Sequence, residues 1–101
     1  MEVDAVARAY VTARGYPPFA HALGHQIGRF AHDGGTLLGP AWERYGDAPH
    51  GVVEEGNVFT LELHVPSERH GQVSLEEDVL VTDTGCEFLS QPQRALRCIP
   101  T

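Results

Sequence analysis

Val3, Val6, Ala7, Tyr10 and Val11 recur at the spacing of one helix face, and Gly15 follows where the pattern stops. The spacing predicts a helix over residues 3–14, with Asp4 placed to favour the positive end of its dipole. Tyr16-Pro17-Pro18 then imposes an extended path, because a residue before proline is disfavoured in helical geometry. Gly24 and Gly28 argue against a long helix between Phe19 and Phe30, and Asp33-Gly34-Gly35 marks a turn. Residues 34–57 hold several Gly and Pro and read as mostly loop, with Trp42 and Tyr45 packing over a core edge. From Asn57 the period changes to two. Phe59, Leu61, Leu63 and Val65 alternate with Val58, Thr60, Glu62 and His64, which predicts a strand with one apolar and one mixed polar face. Pro66 to Gln72 reads as a connection. Val73, Leu75, Val79 and Val81 then share a parity opposite Ser74, Glu76, Asp78 and Thr82, giving a second strand. Thr84-Gly85 turns the chain into a short third strand, Cys86 to Leu89, and the tail from Gln91 reads as loosely held. A helix followed by a run of antiparallel strands predicts an α+β fold, in a single domain over residues 1–101.

The two long strands bring acids together. Glu62 lies on the polar face of one and Glu76 on the polar face of the other, and a hairpin centred on Arg69 sets them directly opposite each other. Like charges opposite one another on a sheet are destabilising. The pair therefore calls for a cation, a shared proton or a neighbouring Arg, unless both acids simply face water. His21, His25 and His32 fall close together upstream. His21 and His25 have the spacing of a zinc-protease helix pair, but Ala22 stands where that motif needs Glu, and Gly24 disfavours the helix. Imidazole with carboxylate suits Mn, Co, Fe or Zn rather than Ca; the alternative is three surface or hydrogen-bonded histidines.

Composition narrows the partners. With 42% hydrophobic and 21% charged residues among 101, the chain is of ordinary globular make-up. Seven Lys and Arg against fourteen Asp and Glu give a formal charge of -7, and no basic run occurs. That argues against nucleic acid and against a polybasic membrane contact, while an acid cluster can hold a cation. Cys86 and Cys98 are not in metal-like spacing, and are expected to be reduced packing thiols in a cytoplasmic protein. Glu2 and Asp4 near the start, and no long apolar run after them, predict neither signal peptide nor membrane span.

Three segments carry a family resemblance. Gly24-His25-Gln26-Ile27-Gly28, with His32 further on, resembles the GHGIG…H segment of the pita-bread metallopeptidases, the methionine and Xaa-Pro peptidases. Glu54 to Glu62, ending Val58-Phe59-Thr60-Leu61-Glu62, is similar to that family's "pGMvfTiE" strand. Gly71 to Thr82, with Leu75-Glu76-Glu77-Asp78, is similar to its "GvRiEDdvlVT" strand. His21 ahead of the first segment points to the Xaa-Pro aminopeptidase and dipeptidase branch. The resemblance implies the C-terminal half of a pita-bread fold, a helix packed on a curved antiparallel sheet. It implies divalent metal ions (Mn, Co or Zn) and hydrolysis at peptide N-termini. It implies His25, Glu62 and Glu76 as metal ligands, His32 as a substrate contact assisting proton transfer, His21 in the leaving-group pocket, and Glu62 also as the group taking the water's proton.

The departures shape the expectation. The family's two Asp ligands have no counterpart here: Asp33, Asp47 and Asp78 all lie in other contexts. Leu63-His64 replaces the common Pro-Gly, Ser74 replaces an Arg two residues before Glu76, and Asp33-Gly34-Gly35 replaces Glu-x-Pro. The expectation is a truncated Xaa-Pro peptidase, inactive alone, that binds peptide by family and pairs with an N-terminal half or a second copy. The alternative is a non-catalytic remnant that binds a peptide or a partner.

Overall fold

The computed structural model describes all residues, 1–101. One helix, α1 (Glu2–Ala13), precedes five strands: β1 (Gly24–Ile27), β2 (Leu37–Leu38), β3 (Val58–Ser67), β4 (Gly71–Val81) and β5 (Cys86–Phe88). All neighbouring strands are antiparallel, in the order β2-β1-β3-β4-β5. The α+β prediction holds. The stretch read as mostly loop contains β2 and two single-turn 3-10 helices, Glu43–Tyr45 and Ala48–His50. The connection expected over Pro66 to Gln72 is shorter, because β3 and β4 continue pairing to Ser67 and Gly71. Gly71 takes φ 77° at this turn, a conformation that side-chain-bearing residues rarely adopt.

The core is thin. Only 12 of 101 residues are buried, so single contacts carry a large share of stability. Val11, Phe19, Leu23, Leu38, Phe59 and Val79 form its centre, with Ala7, Leu61, Leu63, Val65 and Val81 packed against it. The odd-numbered residues of β3 thus face the helix, as the alternation predicts.

The helix buries a different face from the apolar one. Val3, Val6 and Tyr10 are exposed, while Asp4 is only 2% exposed and Val11 5%. The inward row is Asp4, Ala7, Arg8 and Val11, also at helical spacing. Asp4 accepts two hydrogen bonds from Arg8, each 2.9 Å, and one from the Leu23 N–H at 3.0 Å. Arg8 also donates to the carbonyls of Phe19 and His21, at 2.6 and 2.9 Å. Its guanidinium lies 4.1 Å from the Phe19 ring centroid. This ion pair is buried where it satisfies the Phe19 and His21 carbonyls and the Leu23 N–H, backbone groups outside the strand ladder. It ties the helix to the segment that leads into β1.

Trp42 and Tyr45 stack at 5.7 Å, and the Tyr45 hydroxyl accepts the Ala22 N–H, so they do cover a core edge. Cys86 and Cys98 are both exposed, which corrects their assignment as packing residues. Cys86 lies on the short edge strand, where nothing covers it, and Cys98 lies in the irregular tail. One tail contact is specific: the Gln93 N–H donates to Glu77 at 3.0 Å.

Candidate functional site

The β3–β4 register is the one the sequence predicts. Glu62 pairs directly with Glu76, Thr60 with Asp78, and His64 with Ser74. Period-two pleating puts these even-numbered side chains on the face away from α1. An open cleft of about 550 Å³ lies on that face, and Glu62, Glu76, Thr60, Asp78, His25 and His32 all contribute to its walls. Glu62 is half-buried and Glu76 is exposed.

His25 reaches the cleft because β1 lies close against β3. The Leu23 carbonyl accepts the Glu62 N–H at 2.6 Å, and the Thr60 hydroxyl accepts the His25 N–H at 3.0 Å. Between them, Gly24 sits over the Thr60 carbonyl so closely that a Cβ there would overlap it. The glycine is therefore required by the approach that delivers His25. Nε2 of His25 lies 3.7 Å from a Glu62 oxygen, within ion-pair range when the imidazole is charged.

The loop after β1 turns back to bring His32 over His25. Their rings are 4.3 Å apart at 34°. Asp33 stabilises this turn by accepting the Arg29 N–H at 2.8 Å, and Gln26 accepts the Thr36 N–H at 3.1 Å. Asp33, which departs from the family pattern, thus acts as a loop clasp. His21 lies outside this cleft. Its Nε2 is 2.9 Å from Nδ1 of His64, and its ring stands 5.3 Å from Phe19.

The structure thus brings His25, His32, Glu62 and Glu76 to one cleft and sets His21 apart. Thr60 as a positioning residue, Asp78 as a wall and His64 as the neighbour of His21 were not read from the sequence. Strand parity signals Asp78 and His64, since both share the face of Glu62 and Glu76. Nothing in the sequence signals that Thr60, 3% exposed, accepts a backbone donor from β1.

Imidazole and carboxylate on one wall are the donor types a transition-metal dication takes. The side chains are not drawn into a closed set: no three His, Cys, Asp or Glu stand close enough together to hold an ion.

Residues 1–83 match the sequence profile of metallopeptidase family M24. The chain belongs to that family. The Xaa-Pro dipeptidase of Pyrococcus furiosus is 32% identical over 96 residues, covering 94% of this chain and 25% of its own length. The Xaa-Pro dipeptidase of Lactobacillus helveticus is 32% identical over 100 residues, 98% of this chain and 25% of its own. Among solved structures, the X-Pro aminopeptidase from Thermotoga maritima superposes with a TM-score of 0.71 at 32% identity, covering 91% of this chain and 24% of that one. The prolidase from Pyrococcus furiosus gives 0.71 at 30%, covering 90% and 25%. This M24 chain spans about a quarter of the length of these relatives. Its helix and antiparallel sheet are half of the pita-bread fold. M24 is a metallopeptidase family, so divalent metal and peptide belong to its general chemistry.

Proposed function

We propose that this chain supplies one side of a metal-dependent Xaa-Pro peptidase centre acting at peptide N-termini. The observation that carries the reading is the cleft itself: His25, His32, Glu62 and Glu76 share it, with Glu62 directly opposite Glu76. By the family resemblance, His25, Glu62 and Glu76 would be this chain's metal ligands, three donors that need the rest of the centre to close around an ion. Bound divalent ions (Mn, Co or Zn) supply Lewis acidity and a water acidic enough to ionise near neutral pH. Glu62, 3.7 Å from His25 on the cleft wall, would be the group placed to accept that water's proton. His32, held against His25 by the Asp33 clasp, contacts the substrate and moves a proton at the cleft mouth. His21 contacts the leaving-group side.

The two Asp ligands that the resemblance implies have no counterpart within these 101 residues. This segment alone is therefore a truncated, non-turning-over form, completed by an N-terminal half or by a second copy. The exposed, unpaired cysteines suit a reducing cytoplasm. The test is hydrolysis of Xaa-Pro peptides by the purified chain with added Mn or Co. No turnover is expected from the chain alone. Steady turnover that vanishes in Glu76→Gln would show instead that these residues suffice. A second reading, a non-catalytic peptide- or partner-binding module, draws on the absence of a closed set of three ligands. Peptide binding without hydrolysis, even after an Asp-bearing half is supplied, would favour it.

A further inference from the structure

The β3–β4 hairpin extends past the strands on either side of it. β5 pairs with β4 at Val79 to Val81, and the Leu89 N–H adds one hydrogen bond to the Asp78 carbonyl at 2.9 Å. No strand lies beside the rest of β4 on that side, and residues 71–76 are exposed. In an antiparallel ladder, alternate residues turn their N–H and C=O toward opposite neighbours. The Val81 N–H donates to Asn57 on the β3 side, whereas the Asp78 carbonyl accepts from the β5 side. Odd-numbered residues of β4 therefore bond to β3, and even-numbered ones face outward. Gln72, Ser74 and Glu76 each present an N–H and a C=O along this open edge, and no protein group bonds to them.

The chain blunts its other open edge and not this one. Beyond the Glu62 N–H, which bonds to Leu23, the free edge of β3 holds His64, set against the His21 ring, and then Pro66, which has no N–H to offer. Natural proteins protect open edges with proline, lysine, bulges or a covering segment. Residues 71–78 contain no Pro or Lys, and their ladder to β3 runs without a bulge. The tail passes this edge without joining it. Gln93, Ala95 and Leu96 border a hollow of about 350 Å³ beside Val73 to Glu77, and the Gln93 N–H bonds to the Glu77 side chain rather than to the strand backbone.

We propose that the open edge of β4 is a pairing surface for a second copy of this chain, joined strand to strand about a two-fold axis at Ser74. Antiparallel pairing there sets Ser74 against Ser74 of the second copy, and Gln72 against Glu76 in both directions. Among the registers available, this one alone maps the three outward residues onto one another. Each of the three pairs exchanges two hydrogen bonds, six in all, so every free N–H and C=O is used. Charge favours the same register. Glu76 meets the Gln72 amide, whereas an axis at Glu76 would oppose two carboxylates. Between the hydrogen-bonded pairs, Val73 stands opposite Leu75 of the second copy, at the positions where side chains approach most closely. The pairing thus covers two apolar side chains that are 38% and 46% exposed in the single chain. The same patch meets itself, so association closes at two copies. The contact is made by backbone, and it stands independently of the metal-centre reading above.

The test uses the full 101-residue chain in buffered salt, without metal or peptide. Between micromolar and millimolar concentration, sedimentation should pass from monomer to dimer. Over the same range, exchange at the Gln72, Ser74 and Glu76 amides should slow about tenfold. The Val73 and Leu75 amides, already bonded to β3, should change little. In a mixture of ¹³C-labelled and unlabelled chains, a nuclear Overhauser effect between the Hα atoms of Val73 and Leu75 marks the register. Within one strand these residues stand about 6.6 Å apart, too far to give it. Ser74→Pro deletes the central N–H without touching the ladder to β3 and should abolish the dimer, whereas Ser74→Val keeps that N–H and should retain it. Circular dichroism checks that Ser74→Pro is folded; if it is not, the intermolecular contact between Val73 and Leu75 decides by its presence or absence. A chain that is monomeric at every concentration overturns the proposal. So does a dimer that persists in folded Ser74→Pro, or association that leaves the three amides in free exchange and so places the contact on another face. Protection that does not depend on concentration also overturns it, and assigns the edge to the chain's own tail.

Discussion

Asp4→Ala removes the acceptor of three hydrogen bonds at once: two from Arg8 and one from the Leu23 N–H. The Asp4 side chain is 2% exposed and that of Arg8 18%, so the substitution leaves a largely buried cation without its counter-charge. Breaking a buried ion pair from one side costs about 3–5 kcal/mol. Arg8 keeps some water and its two carbonyl acceptors, which favours the lower end, about 3 kcal/mol. A domain of this length has about 5–15 kcal/mol of total stability. The loss is therefore a fifth or more of the whole, and the melting point should fall by about 12 °C or more. Urea unfolding followed by circular dichroism measures it. Asp4→Asn, which can still accept from Leu23 and from one Arg8 nitrogen, should lie between the two. A loss below about 1 kcal/mol in Asp4→Ala would refute the reasoning, because it would mean that Arg8 and Leu23 find water without the carboxylate.

Three further outcomes follow from the same geometry. Gly24→Ala places a methyl group against the Thr60 carbonyl and should cost at least about 1–3 kcal/mol; a variant as stable as its parent in urea would show that β1 can stand farther from β3. Thr60→Val orphans the His25 N–H and should cost about 1–3 kcal/mol, with faster hydrogen exchange at that amide; unchanged exchange at His25 would contradict the hydrogen bond. Val73 and Leu75 remain 38% and 46% exposed beside the half-buried Leu63, and Val6 and Tyr10 stand out from the helix, so the chain should self-associate. Such an interface should bury at least about 1,000 Å². A strict monomer in analytical ultracentrifugation at all concentrations would dismiss it.

Much of the candidate site was legible because a strand's side chains alternate without exception along a regular ladder. Once Val58 to Val65 and Val73 to Val81 are recognised as strands meeting around Arg69, Glu62 must oppose Glu76. The same alternation places His64 and Asp78 on their face, which extends the reading beyond the motif residues. Helical periodicity was less informative. Val3, Val6 and Tyr10 share one apolar face with Val11, yet the helix buries Asp4 and Arg8 beside Ala7 and Val11. Hydrophobicity alone could not foresee this, since those two charges are buried to satisfy distant backbone groups.

While the hairpin register, assumed from a centre at Arg69, was settled by the β3–β4 ladder, the sequence by itself determined the α+β class, the strand parity, the family resemblance and the set of chemically capable residues. These depend on period, turn chemistry and motif order, all local properties. Only the tertiary structure decided how close those residues come. The approach of β1 to β3 depends on Gly24 meeting Thr60 across the fold, and the orientation of His64 depends on His21, 43 positions away in the chain. Such distances are set by packing between segments remote in sequence, and no local pattern encodes them.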